Sequence, residues 1–141
     1  MTSSIIGSGS VGAAIARQFA RSGITVGIAN TRGPESIASM ARELGDKVVP
    51  LTLQAALEAD VIVLAVPFRA HCDVARAAAN WKGKVVIDAT NAYGVPLSEL
   101  DSLPSSAIVA KAFSGASLVK ASIICPPRYS PSIPSAPVAV E

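Results

Sequence analysis

Ile5-Ile6-Gly7-Ser8-Gly9-Ser10-Val11-Gly12 runs without a break into Ala13-Ala14-Ile15-Ala16-Arg17-Gln18-Phe19-Ala20. A short apolar, β-branched stretch meets three glycines at G-x-G-x-x-G spacing, and the glycines open a segment whose apolar residues recur at helical intervals. Strand, glycine turn and helix in that order make a dinucleotide fingerprint. Gly7 permits the tight turn out of the strand, Gly9 lets the backbone approach a pyrophosphate, and Gly12 lets the helix pack closely on the strand. The anion would rest on free N–H groups at the start of the helix, with Ser8, Ser10 and Val11 completing the loop. A glycine turn without a ligand is the alternative, and the flanking strand and helix count against it.

Working outward, the first helix stops near Ser22-Gly23, and Ile24 to Ala29 reads as a second strand, closing a β-α-β unit. Gly33-Pro34-Glu35 opens a second helix, with proline and an acid in its first turn and apolar residues at Ile37, Met40, Ala41 and Leu44. Val48-Val49 marks a third strand, Thr52 to Ala59 a compact helix, and Val61 to Val66 a fourth strand, continuously apolar as in parallel sheets buried on both faces. A helix over Ala70–Asn80, a strand over Lys84–Ala89, a short helix or turn over Leu97–Leu103 and a sixth strand at Ile108-Val109-Ala110 complete the expected series. Strands alternating with helices through short connections predict a doubly wound parallel sheet, a Rossmann fold of strand order 3-2-1-4-5-6. The expected domain is residues 1–113. Five of the ten prolines lie in the last sixteen residues, so residues 114–141 read as a proline- and serine-rich tail, extended or disordered, with Ser122–Cys125 as a possible short strand.

Composition narrows the function classes. The 141 residues are 50% hydrophobic and suit one compact domain, while a net charge of +2 from scattered Lys and Arg gives no footprint for nucleic acid or an acidic membrane surface. Cys72 and Cys125 have neither metal-ligand spacing nor the density of a disulfide scaffold, so no metal is expected and a reducing cytoplasm is. No apolar run reaches membrane-spanning length. A small molecule is the expected partner.

The end of the second strand chooses between nicotinamide cofactors. Where NAD-binding units carry Asp or Glu for the ribose 2′-hydroxyl, this chain has Asn30, followed by Thr31 and Arg32, a hydroxyl and a guanidinium suited to a 2′-phosphate. That combination predicts NADP, with Ser36 adding a hydroxyl. Ligands of open α/β sheets lie beyond the carboxyl ends of the strands, which brings in the turn Ala65-Val66-Pro67-Phe68 after strand four and Asn91 after strand five. Phe68 would pack beside the dinucleotide or serve helix entry; Asn91 would bond near the nicotinamide or simply form a turn. His71, the one histidine, is expected in a surface or capping role, because a helix N-terminus disfavours its protonated form. Asp88 is expected to order local backbone. No nucleophile–base pair stands out, and catalytic residues are left unassigned.

Taken together, Ile6–Gly12, Asn30-Thr31-Arg32-Gly33-Pro34-Glu35-Ser36, Leu64–Phe68, Val86-Ile87-Asp88-Ala89-Thr90-Asn91 and Val109-Ala110-Lys111-Ala112-Phe113 resemble the coenzyme F420-dependent NADP oxidoreductases and related dinucleotide-binding reductases. The resemblance spans roughly residues 3–113. It implies a domain that holds NADP at the Gly7–Gly12 loop, Thr31, Arg32 and the Ala65–Phe68 turn, with hydride passing between the nicotinamide and a second redox cofactor, F420 or a flavin, or another small acceptor. In such enzymes the cofactors carry the chemistry and the protein positions them. Family members usually have Asn where this chain has Ser114, and they continue through a segment that covers the hydride site. The competing expectation is therefore an NADP(H)-binding module or truncated remnant without turnover, or a domain completed by a partner such as a second copy in a homodimer.

Overall fold

The computed structural model describes residues 1–121. Six parallel strands form one sheet: β1 (Ser3–Ile6), β2 (Val26–Ala29), β3 (Val48–Pro50), β4 (Val61–Leu64), β5 (Val85–Asp88) and β6 (Ser117–Lys120), in spatial order β3-β2-β1-β4-β5-β6. The chain reverses direction across the sheet between β1 and β4, the switch point where a crevice opens at the carboxyl edge. The register pairs Ile6 with Ala29 on one side and with Leu64 on the other, so the ends of these three strands lie side by side.

Among the described residues five helices cover the faces: α1 (Ser10–Arg21), α2 (Ala38–Leu44), α3 (Leu53–Leu57), α4 (His71–Ala77) and α5 (Ser105–Ala112). Short 3-10 turns at Pro34–Ile37 and Phe68–Ala70 lead into α2 and α4, and a third, Leu97–Leu100, precedes α5. Alternation along the strands divides the apolar residues into two cores. Ile5, Val26, Ile28 and Val63 pack with Ala16 of α1 and Ala41 of α2; Ile6, Ile62, Leu64 and Val86 pack with Leu57, Val74 and Val109 of the opposite helices. In the second core Trp81 and Phe113 meet edge to face, their ring centroids 4.6 Å apart. Such aromatic contacts add to what burial alone contributes. Thr52 caps α3 by accepting the N–H of Ala55.

The sixth strand departs from the sequence expectation. Ile108-Val109-Ala110 is helical, inside α5, and the strand is formed by Ser117–Lys120. Pro104 explains the helix, because its fixed φ of −57° leads directly into the first turn, and Val109 then falls on the inward face. The sheet accordingly extends past the expected boundary at Phe113. The tail beyond 121, including Ser122–Cys125, lies outside the described residues.

Candidate functional site

The glycine loop is built by close approach of backbone to backbone. Gly7 has φ +115°, and a Cβ there would overlap the carbonyl oxygen of Ala65 at the end of β4. A Cβ on Gly12 would overlap the carbonyl oxygen of Gly7, so α1 lies directly against the strand it follows. Gly9 faces open space, with nothing within 4 Å of where its Cβ would point. The backbone at the start of α1 is thus open to an approaching group, as a pyrophosphate cradle requires.

One cleft of about 420 Å³ joins this loop to the ends of β2 and β4. Its walls include Gly7, Ser8, Gly9, Asn30, Thr31, Arg32, Ala65, Val66 and Pro67, residues from three separate segments. Leu53, Ala70, Asp73 and Val74, which the sequence gives no reason to single out, also line it. Asp73 puts a negative charge there, partly offset by Arg76 at 3.3 Å. Ser10, Val11 and Gly12 belong to the first turn of α1, behind the loop and outside the cleft lining.

Asn30 organises the β2 end. Its Nδ2 donates to Ser8 Oγ and to Ser36 Oγ, both at 3.0 Å, and its Oδ1 accepts the backbone N–H of Arg32 at 2.9 Å. The single hydroxyl proton of Ser36 goes to its nearer acceptor, the carbonyl of Gly33 at 2.7 Å, leaving its oxygen to accept from Asn30. A side-chain amide suits this position because two donors and an acceptor are all used. Ser36 is therefore a brace for the loop. Arg32 is exposed and forms no ion pair among the described residues.

A second, shallower cleft of about 350 Å³ meets the first at Pro67 and is lined by Phe68, Arg69, Asn91, Tyr93, Gly94 and Val95. Phe68 is 8% exposed and belongs to the core, its ring tilted against His71 with centroids 4.9 Å apart, and it opens the 3-10 turn that leads into α4. Asn91 Oδ1 accepts the N–H of Tyr93, which makes it a turn former as well as a cleft residue. Arg69 reaches across to Glu99 at 2.9 Å and ties the two connections that frame this cleft.

His71 is not at the surface, contrary to the sequence expectation; it is buried, with Nδ1 bonded to the Phe68 carbonyl. A carbonyl only accepts, so Nδ1 carries a proton and Nε2 faces Cys72 Sγ at 3.3 Å. Asp88, by contrast, orders backbone as expected: its Oδ1 accepts from the N–H and the hydroxyl of Thr90. Among the described residues no three His, Cys, Asp or Glu side chains gather as a metal site. No described helix is long and apolar enough to cross a membrane.

Residues 3–92 match the family of coenzyme F420-dependent NADP oxidoreductases. The chain belongs to this family. Among solved structures it resembles a hypothetical protein from Sinorhizobium meliloti, at 38% identity and a TM-score of 0.79, covering 85% of this chain and 60% of that one. A protein from an Arthrobacter species assigned as an F420-dependent NADP reductase shares 24% identity at a TM-score of 0.70, covering 85% and 61%. A reductive aminase from Aspergillus terreus, solved with NADPH and ethyl levulinate, shares 22% at a TM-score of 0.63, covering 84% and 39%; at these last two identities the likeness is one of fold. The chain spans about three fifths of the length of the first two structures. Among curated proteins, none matches significantly. The segment Val109–Phe113, one of those that carry the sequence resemblance, lies beyond the matched residues, in α5 and at its end, while β6 carries the similar run Leu118-Val119-Lys120, followed by Ala121.

Proposed function

We propose that the joined clefts bind NADP(H) and that the protein is an NADP-dependent oxidoreductase. The observation that carries this reading is one cleft holding both the open backbone at Gly9 and the carboxylate-free segment Asn30-Thr31-Arg32. The N–H groups at the start of α1 would take the pyrophosphate, while Thr31 and Arg32 would take the 2′-phosphate through charge-assisted bonds. Asn30 holds the Arg32 backbone in place and, being uncharged, does not repel a phosphate. With the adenosine half anchored there, the dinucleotide would cross the switch point toward Asn91, Tyr93 and Val95. The bound nicotinamide would supply the hydride, and the acceptor would be a second redox cofactor, F420 or a flavin, or another small acceptor. The protein's part is to orient the ring at the second cleft.

The test is oxidation of NADPH by the purified protein, followed at 340 nm with F420, FMN or FAD as acceptor. Turnover above the rate without protein supports the oxidoreductase reading. Tight NADPH binding without turnover with any of the three would leave a binding module in its place.

A further inference from the structure

Asp88 ends β5 with its side chain wholly buried, and a carboxylate in that position requires compensation from its surroundings. Thr90 supplies two bonds to Oδ1, at 2.8 Å from its N–H and 2.7 Å from its hydroxyl. The charge is met by Lys120, whose ammonium lies 3.0 Å from Asp88 Oδ2 and donates also to the Thr90 carbonyl at 2.6 Å. One cation thus holds both ends of the turn Asp88-Ala89-Thr90.

Lys120 is the last residue of β6 and stands opposite Asp88 in the parallel register, with the N–H of Ala121 bonded to the Asp88 carbonyl beyond it. On the other side, the N–H of Ala89 bonds to the Leu64 carbonyl at the end of β4. The turn is gripped from both neighbouring strands, and the next residue out is Asn91, on the wall of the second cleft. An edge-strand lysine that served only to keep the edge solvated would extend into water. This one turns inward, and its side chain is only 36% exposed.

We propose that Lys120 is a positioning residue for the nicotinamide end of the cofactor: acting through Asp88 and Thr90, it fixes where Asn91 and Tyr93 stand. This inference rests on the NADP reading above. It predicts an effect confined to one half of the dinucleotide, because Lys120 is on the far side of the sheet from the Arg32 segment. General loss of structure would affect both halves.

The experiment titrates NADPH and 2′,5′-ADP, a fragment without the nicotinamide, into wild type, Lys120→Met and Lys120→Arg. Lys120→Met is expected to bind 2′,5′-ADP as wild type does and NADPH about tenfold more weakly, with Lys120→Arg restoring most of the loss. Equal weakening of both ligands, or of neither, would overturn the proposal. If the unpaired carboxylate prevents Lys120→Met from folding, the double variant Asp88→Asn/Lys120→Met removes both charges. It is expected to keep 2′,5′-ADP binding and the NADPH defect, and wild-type affinity for NADPH in that variant would overturn the proposal. Wild-type protein that bound neither ligand would instead remove the NADP reading itself, and this inference with it.

Discussion

Asn30 spends both amide donors and its carbonyl on Ser8, Ser36 and the Arg32 backbone, so a single side chain ties the glycine loop to the segment after β2. Asn30→Asp removes the two donors and adds a negative charge beside Arg32. The expected result is weaker NADPH binding and a smaller preference for NADPH over NADH, read from paired titrations. Arg32→Ala is expected to weaken NADPH binding by about 1.5–3 kcal/mol, as for hydrogen bonds to charged groups, while NADH binding changes little. Equal losses for the two cofactors would take the 2′-phosphate away from Arg32. That the glycine loop, the Asn30–Arg32 segment and the Ala65–Pro67 turn share one cleft was legible in the sequence, because each is marked by a pattern local to its own segment and the fold places all three at one sheet edge. The wall formed by Leu53, Asp73 and Val74 was not, since it depends on how α3 and α4 pack over the sheet.

At the scale of elements, α5 and β6 show how a local pattern misleads. Val109-Ala110-Lys111-Ala112 and Leu118-Val119-Lys120-Ala121 are alike in composition, and two apolar residues before a lysine fit a helix turn as well as a strand. Tertiary packing decides: Val109 is fully buried and Phe113, just past α5, packs on Trp81, whereas Leu118 and Val119 pair with Val86 and Ile87 along the sheet edge. Phe113→Ala is accordingly expected to destabilise the protein by about 3–5 kcal/mol in denaturant unfolding, the cost of removing a buried aromatic from a core. Asp60 ties the loop before β4 to the N-terminus. Its carboxylate accepts the N–H of Thr2 at 2.7 Å and the Thr2 hydroxyl at 3.1 Å, which holds its pKa below the usual Asp range. A depressed pKa means the unfolded chain takes up the proton first, so this contribution is present above about pH 4 and fades as the pH falls through the lower folded value. The Tm difference between wild type and Asp60→Asn should therefore shrink as the pH is lowered from 6 toward 3, and a difference that stayed constant would contradict the assignment.

For the whole molecule, the strand order and the location of the crevice were readable from alternation of elements and one glycine motif, because parallel strands joined by helices admit few arrangements. Burial of His71 and the Asp88–Lys120 pair were not readable, since they join residues whose proximity appears only after the sheet is assembled. At the switch point the open glycine loop and the Asn30–Arg32 segment face one space. A ligand that binds the folded state alone raises Tm in proportion to the logarithm of its concentration over Kd. Isothermal titration of the wild-type protein with NADPH and with NADH measures whether that space is an NADP site. One NADPH site per chain is expected, with NADH bound at least about tenfold more weakly, as the loss of a charge-assisted phosphate contact requires; equal affinities, or no binding of NADPH, would rule out a 2′-phosphate site at Thr31 and Arg32.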